Sequence, residues 1–144
     1  MSNNFTYAQL IKRKAQELGF DFCGISKAEF LEEDAPRLES WLAKDYHGKM
    51  NYMTNHFDKR LDPSKLVPGA KSVVSLMYNY FPTQQQNENT YKVSKYAYGK
   101  DYHHISKSKL KGFVEQLQED TGDFSARVFV DSAPIMEKAW ASKS

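Results

Sequence analysis

At 144 residues the chain fits one domain, and a domain of that size buries roughly 70% of the surface its unfolded chain exposes, so a core needs no covalent staples. Lys and Arg number 20 against 18 Asp and Glu, a net charge of +2 that excludes a chain held to nucleic acid by bulk charge alone. A single cysteine, Cys23, excludes an internal disulfide and suits a reducing cytoplasm; no segment nears the length that spans a bilayer, and "MSNNFTYAQLIKRK" lacks the apolar run of a signal peptide, so the chain reads as soluble and unexported.

Thr6 and Gln9 are spaced as a capping box, and Tyr7, Leu10, Ile11, Ala15 and Leu18 share one helical face before Gly19, which predicts an amphipathic first helix. "FDFCGISKA" follows as a short strand with Cys23 as a small buried thiol. Leu38, Trp41, Leu42 and Tyr46 recur at helical spacing up to Gly48, and "MNYMTNHFDKR" predicts another short helix, ended by the turn "LDPSKLVPGA". "KSVVSLMYNYF" is the strongest strand pattern, apolar on both faces and therefore expected at the centre of a sheet. The polar "PTQQQNENT" is expected to be an exposed, mobile loop without chemistry of its own.

Next, "YKVSKYAYGKDYHH" leads into a long helix with Tyr102, Leu110, Phe113 and Leu117 as its packed stripe, and "EDTGDFS" is the turn out. Val128, Phe129 and Val130 predict a buried strand, with Ser132-Ala133-Pro134 as the cap and first turn of a closing helix from Pro134 to Ser144. Strands separated by helices predict a mixed α/β (α+β) domain. "EKAWASKS" stops without a glycine or a returning strand, so the fold is expected to be cut in mid-element, with the closing helix less protected from hydrogen exchange than the strand from Arg127 to Val130.

There is no P-loop, G-x-G-x-x-G or H-E-x-x-H pattern, and the adjacent His103 and His104 diverge on a helix, so no metal ligand set is predicted. Tyr96, Tyr98 and Tyr102 alternate with Lys95, Lys100 and His103, and from Lys92 to Lys111 there are six lysines and one acid, Asp101. Aromatic faces stack on flat ligands while ammonium groups hold phosphates; the alternative is a solvated helix face. Asp131 stands at the strand-to-helix join, at the carboxyl end of a strand where ligands collect in open α/β sheets, and the plain alternative is that it only caps the helix.

Taken in order, "KRLDPSKLVPGAKSVVSLMYNYFP", "SKYAYGKDYHHISKSKLK" and "ARVFVDSAPIMEKAWA" resemble the amino-terminal half of epoxyqueuosine reductase, from about Leu18 to the end of the chain. The resemblance implies a cytoplasmic, cobalamin-dependent, iron–sulfur oxidoreductase of queuosine biosynthesis. Such an enzyme acts in tRNA processing, reducing epoxyqueuosine at the wobble position with electrons from an external donor. It further implies a corrinoid-binding core similar to that of reductive dehalogenases, of which residues 1–144 would be the amino-terminal part of a single α/β domain. The ferredoxin-like region, with two 4Fe–4S clusters, would lie outside this chain, since one cysteine cannot ligate a cluster.

On the residues that match, the resemblance makes Asp131, in the family's V-D-S-A-P-x-x-E block, the proton donor, and Arg60, Tyr98, Asp101, Tyr102 and His103 contacts of the cobalamin and substrate cavity. Asp101 as a helix cap and Arg60 paired with Asp62 or a helix end are the structural alternatives. A helix N-terminus beside Asp131 would favour the carboxylate, so a closed pocket under the corrin ring would have to keep the donor protonated. A monomer without membrane attachment is expected. The rival readings are a non-catalytic tRNA-binding module and another corrinoid-dependent reductase with the same core.

Overall fold

The computed structural model describes residues 2–144. Helix α1 spans Ser2–Glu17, strand β1 Phe22–Lys27, α2 Ala35–Ala43, α3 Phe57–Leu61, β2 Ser72–Met77, α4 Tyr102–Thr121 and α5 Glu137–Lys143, with short 3-10 turns at Asn51–Thr54, Pro63–Lys65 and Lys95–Ala97. The class is the expected mixture of helix and strand. β1 and β2 form a two-stranded sheet. Asp21 N–H donates to the Met77 carbonyl at one end and Ala28 N–H to the Lys71 carbonyl at the other, both at 2.9 Å, so the strands run antiparallel. Among the described residues no helix is long and apolar enough to cross a membrane.

The chain divides into two compact units, Met1–Cys23 with Leu76–Phe124, and Gly24–Ser75 with Ser125–Ser144. In the first, α1 packs on α4 around Ala15, Phe20, Phe113 and Leu117. α1 starts before Thr6, so the Thr6–Gln9 pair lies inside the helix and is not its cap. Its far end is a Schellman stop: Gly19 N–H reaches the Gln16 carbonyl and Phe20 N–H the Ala15 carbonyl, with Gly19 at φ +83°. That stop turns the Phe20 ring edge-on to Tyr78 and Phe113, each with centroids 6.1 Å away, while Lys109 lies 3.9 Å over the Tyr78 ring.

The second unit is built on Leu31, Leu38, Leu61 and Trp140, with Trp41, Phe57, Val73, Ile135 and Met136 packed around them. Leu31, Leu61 and Trp140 are fully buried. A backbone bond of 2.9 Å from Leu31 N–H to the Leu61 carbonyl ties α3 to the segment before α2. The predicted helix over "MNYMTNHFDKR" is interrupted at His56, whose left-handed φ of +58° separates the 3-10 turn from α3. His47 is also buried, against the Trp41 ring at 5.7 Å. Cys23 is only half-buried, less than the buried thiol expected, and that burial pushes its thiol pKa up.

Two strand expectations are corrected. β2 is not central: its sheet has two strands, and no residue of β2 is fully buried. A β-branched run specifies an extended chain but not how many neighbours it has. Residues 127–130 form no strand. The chain there is locally extended, as the Arg127 guanidinium 5.0 Å over the Phe129 ring indicates for an i, i+2 pair on one side, but no ladder partner meets it among the described residues. The closing helix likewise begins at Glu137, not Pro134.

Candidate active site

The strand-to-helix join expected around Asp131 is replaced by two consecutive tight turns. Ser132 N–H donates to the Val130 carbonyl at 2.6 Å, and Ile135 N–H to the Ala133 carbonyl at 2.8 Å. The first is a three-residue turn centred on Asp131, which has φ +53°. A γ-turn with positive φ at its centre is the rare, strained form. The second is centred on Pro134, whose ring fixes φ near the value the relaxed form needs. Asp is among the few residues with a Cβ that tolerate the left-handed region, which is a local reason for its presence here.

Asp131 does not cap α5, whose N-cap is Met136 without a side-chain cap bond. Its side chain is exposed, and its backbone N–H donates to Glu137 Oε1 at 2.8 Å. Glu137 stands in the first turn of α5, where the helix dipole favours a carboxylate.

Arg60, in the same unit, is used structurally. Its Nε donates to the Asn55 carbonyl at 3.2 Å and its Nη2 to the Tyr52 carbonyl at 3.1 Å, fastening the 3-10 turn to α3. Asp62 instead accepts from the Ser64 N–H and hydroxyl, at 2.9 and 2.6 Å, and caps the next 3-10 turn.

The remaining predicted residues lie in the first unit. Tyr80, Tyr96, Tyr102 and His103 form a run of rings: Tyr80–Tyr96 at 6.4 Å, Tyr96–Tyr102 at 5.5 Å, both edge-on, and Tyr102–His103 stacked at 4.1 Å. Asp101 caps α4, accepting the His103 N–H at 3.0 Å while the same oxygen meets His103 Nδ1 at 3.0 Å. Tyr98 is set apart from this cluster, its hydroxyl bonded to the Gln86 side chain. Gln86 also bonds both backbone groups of Val93, so the "PTQQQNENT" loop is closed on itself by a residue that composition had put down as featureless. Three of the six lysines are engaged within the unit: Lys92 with the Asn87 carbonyl, Lys95 4.0 Å over the Phe81 ring, and Lys109 over Tyr78.

The Asp101 carboxyl is held below its ordinary pKa, first by the His103 amide bond and then by the His103 ring. Its folded pKa is depressed, so the stability it lends the first turn of α4 is present above about pH 3.9, the ordinary value of a free Asp, and is lost as pH falls through the folded pKa. An NMR titration should therefore show Asp101 titrating below ordinary Asp, with the His103 amide losing protection in the same range. An Asp101 midpoint at or above the ordinary value would remove the cap.

Among the described residues no group of three or more His, Cys, Asp and Glu side chains could hold a metal ion. Around α4 the exposed Tyr80 and Tyr96 belong to the run of rings that ends at His103, whose imidazole meets the Asp101 carboxylate. Glu137 closes the V-D-S-A-P-x-x-E block, but sequence reasoning gave it no role. An acid in a helix's first turn reads as a dipole partner, and nothing in its spacing reveals that it reaches back to Asp131.

The family "Epoxyqueuosine reductase QueG, DUF1730" matches residues 60–132, a stretch that contains Arg60, the α4 cluster and Asp131. The chain belongs to the epoxyqueuosine reductase family. Curated relatives named epoxyqueuosine reductase include that of Leadbetterella byssophila, 63% identical over 96% of this chain and 46% of the relative, and that of Cyclobacterium marinum, 60% identical over 100% of this chain and 47% of the relative. The Escherichia coli epoxyqueuosine reductase is 41% identical over 95% of this chain and 38% of its own length. The chain thus spans about half the length, or less, of the relatives it matches. Among solved structures, an epoxyqueuosine reductase bound to an epoxyqueuosine-modified tRNA-Tyr stem loop superposes with a TM-score of 0.78 at 21% identity, covering 95% of this chain and 37% of that one. At that identity the likeness is one of fold.

Proposed function

We propose that this chain supplies the proton-donating part of a cytoplasmic epoxyqueuosine reductase, an oxidoreductase of queuosine biosynthesis that acts on transfer RNA. The observation that carries the reading is Asp131: an exposed acid held in a strained left-handed turn, inside the stretch matched by the family. Strained residues with a polar side chain persist where the surrounding structure holds them, and they collect at sites of function.

Two electrons and two protons convert the epoxide to an alkene and water. Cobalamin, when bound, would supply the electrons at the carbon, refilled from an external donor through two 4Fe–4S clusters ligated outside this chain. Asp131 holds one of the protons at its carboxyl, and delivers it to the oxygen as the C–O bond breaks. Tyr96, Tyr102, His103 and Asp101 would hold cobalamin, by ring contact and by hydrogen bonds to its edge amides. Arg60 acts indirectly, by fixing the turn before α3, and Tyr98 by anchoring the 82–93 loop. The proposed architecture is a corrinoid-binding domain akin to that of reductive dehalogenases, working as a monomer without membrane attachment.

The test is conversion of epoxyqueuosine to queuosine in transfer RNA by a chain of the relatives' full length that carries this segment, with cobalamin and reductant. Absence of conversion would overturn the reading.

For the RNA itself, Lys95 and Lys100 flank the Tyr96–Gly99 turn. Removing both from such a chain should flatten the log–log salt dependence of transfer-RNA affinity by about one to two units. An unchanged slope would return these lysines to a solvated face.

A further inference from the structure

We propose that Glu137 is a positioning residue for the reaction: by accepting the Asp131 backbone N–H it holds Asp131 in the left-handed turn that presents its carboxyl. The inference rests on the reading of Asp131 as the proton donor. The turn is held by bonds of two kinds. Its local bonds, Ser132 to Val130 and Ile135 to Ala133, each span only two residues, and such i→i+2 bonds accompany the strained form as readily as they fix it. The Glu137 bond of 2.8 Å spans six residues and closes both turns into one loop with Pro134 at its middle.

Its other end is firm. Glu137 opens α5, and α5 is fastened to the core of the second unit by Trp140, which is fully buried with Leu31, Leu38 and Leu61. A rigid element therefore reaches out one carboxylate to fix the backbone of an exposed acid. Both residues are exposed, so the bond competes with water and adds little to stability; what it fixes is where the Asp131 carboxyl points. Holding a catalytic group within a fraction of an ångström is worth large factors in rate, since a misplacement of about 1 Å can cost about 10²-fold.

Gln separates the acceptor from the charge, because its amide oxygen takes the same bond without the negative charge that the helix dipole favours. Two readouts are needed. In this chain, amide exchange at Asp131 should be faster in Glu137→Ala and close to the parent in Glu137→Gln, with exchange at Trp140 unchanged in both. In a chain of the relatives' full length, Glu137→Ala should lower kcat about 10–100-fold with KM for the modified transfer RNA within about twofold, and Glu137→Gln should restore kcat. A Glu137→Ala enzyme with normal kcat, beside an inactive Asp131→Asn enzyme, would sink this inference and leave the proton-donor reading standing. An active Asp131→Asn enzyme would sink that reading, and the inference with it. If Glu137→Ala fails to fold, Glu137→Gln decides: a folded Gln variant with normal kcat supports the bond, and one as slow as 10–100-fold below the parent shows that the charge matters instead and overturns it.

Discussion

Asp131→Asn, in a chain of the relatives' full length, should lower turnover of epoxyqueuosine by about 10²–10⁴ while leaving cobalamin and transfer-RNA binding in place. Asn is nearly the same size and tolerates the left-handed region as Asp does, so the turn at φ +53° survives the change. The backbone N–H that meets Glu137 also survives. Only the transferable proton is removed. The substitution is thus a cleaner test than Ala, which would lose rate by disturbing the turn as well as by losing the acid. Single-turnover measurement of alkene formation, with bound cobalamin followed by its absorbance, separates the chemical step from binding. Near-normal turnover in the Asn variant would remove Asp131 from the mechanism.

The helical half of this fold was legible because its signals are local. Gly19 and Gly122 take positive φ where α1 and α4 end, and Asp101 caps α4 where its sequence places it, whereas α2 stops at Ala43, short of the expected Gly48, and leaves Tyr46 exposed outside the helix. The stripe Phe113 and Leu117 is buried as its spacing requires. Strand pairing was not legible, because an apolar β-branched run says nothing about which edges are met: β2 has one partner and residues 127–130 have no ladder. Asp131 was singled out from the family's motif, but its conformation could not be read there. Ser-Ala-Pro after an acid fits both a helix start and a pair of γ-turns, and the bond that accompanies the second comes from Glu137, six residues away. Arg60 is a second case of geometry hidden from sequence, since a cation in a family block spends two of its donors on carbonyls of its own loop.

Replacing Trp140 should be the most damaging single change to the stability of the second unit. Its side chain is 1% exposed at the centre of a cluster with Leu31, Leu38 and Leu61, so Trp140→Ala removes a large buried surface and leaves a cavity, at a cost of about 3–5 kcal/mol. That is much of the ~5–15 kcal/mol by which an ordinary domain is stable. α5 has seven residues, too few to persist in water alone, and exists because Trp140 is packed. The order of protection expected from sequence is therefore reversed: amides around Trp140 should exchange more slowly than those of residues 127–130, which lack a ladder. Urea unfolding followed by far-UV circular dichroism gives the stability loss, and hydrogen exchange gives the order. Lys138→Ala, exposed on the same helix, should shift stability by no more than about 0.5 kcal/mol and serves as the control. A Trp140→Ala loss below about 1 kcal/mol, far under the range for a buried aromatic, would mean that α5 is not anchored through this side chain. With Trp140→Ala the carboxylate of Glu137 also loses its fixed base, so the Asp131 amide should lose protection in step with α5 even though nothing near it has been changed.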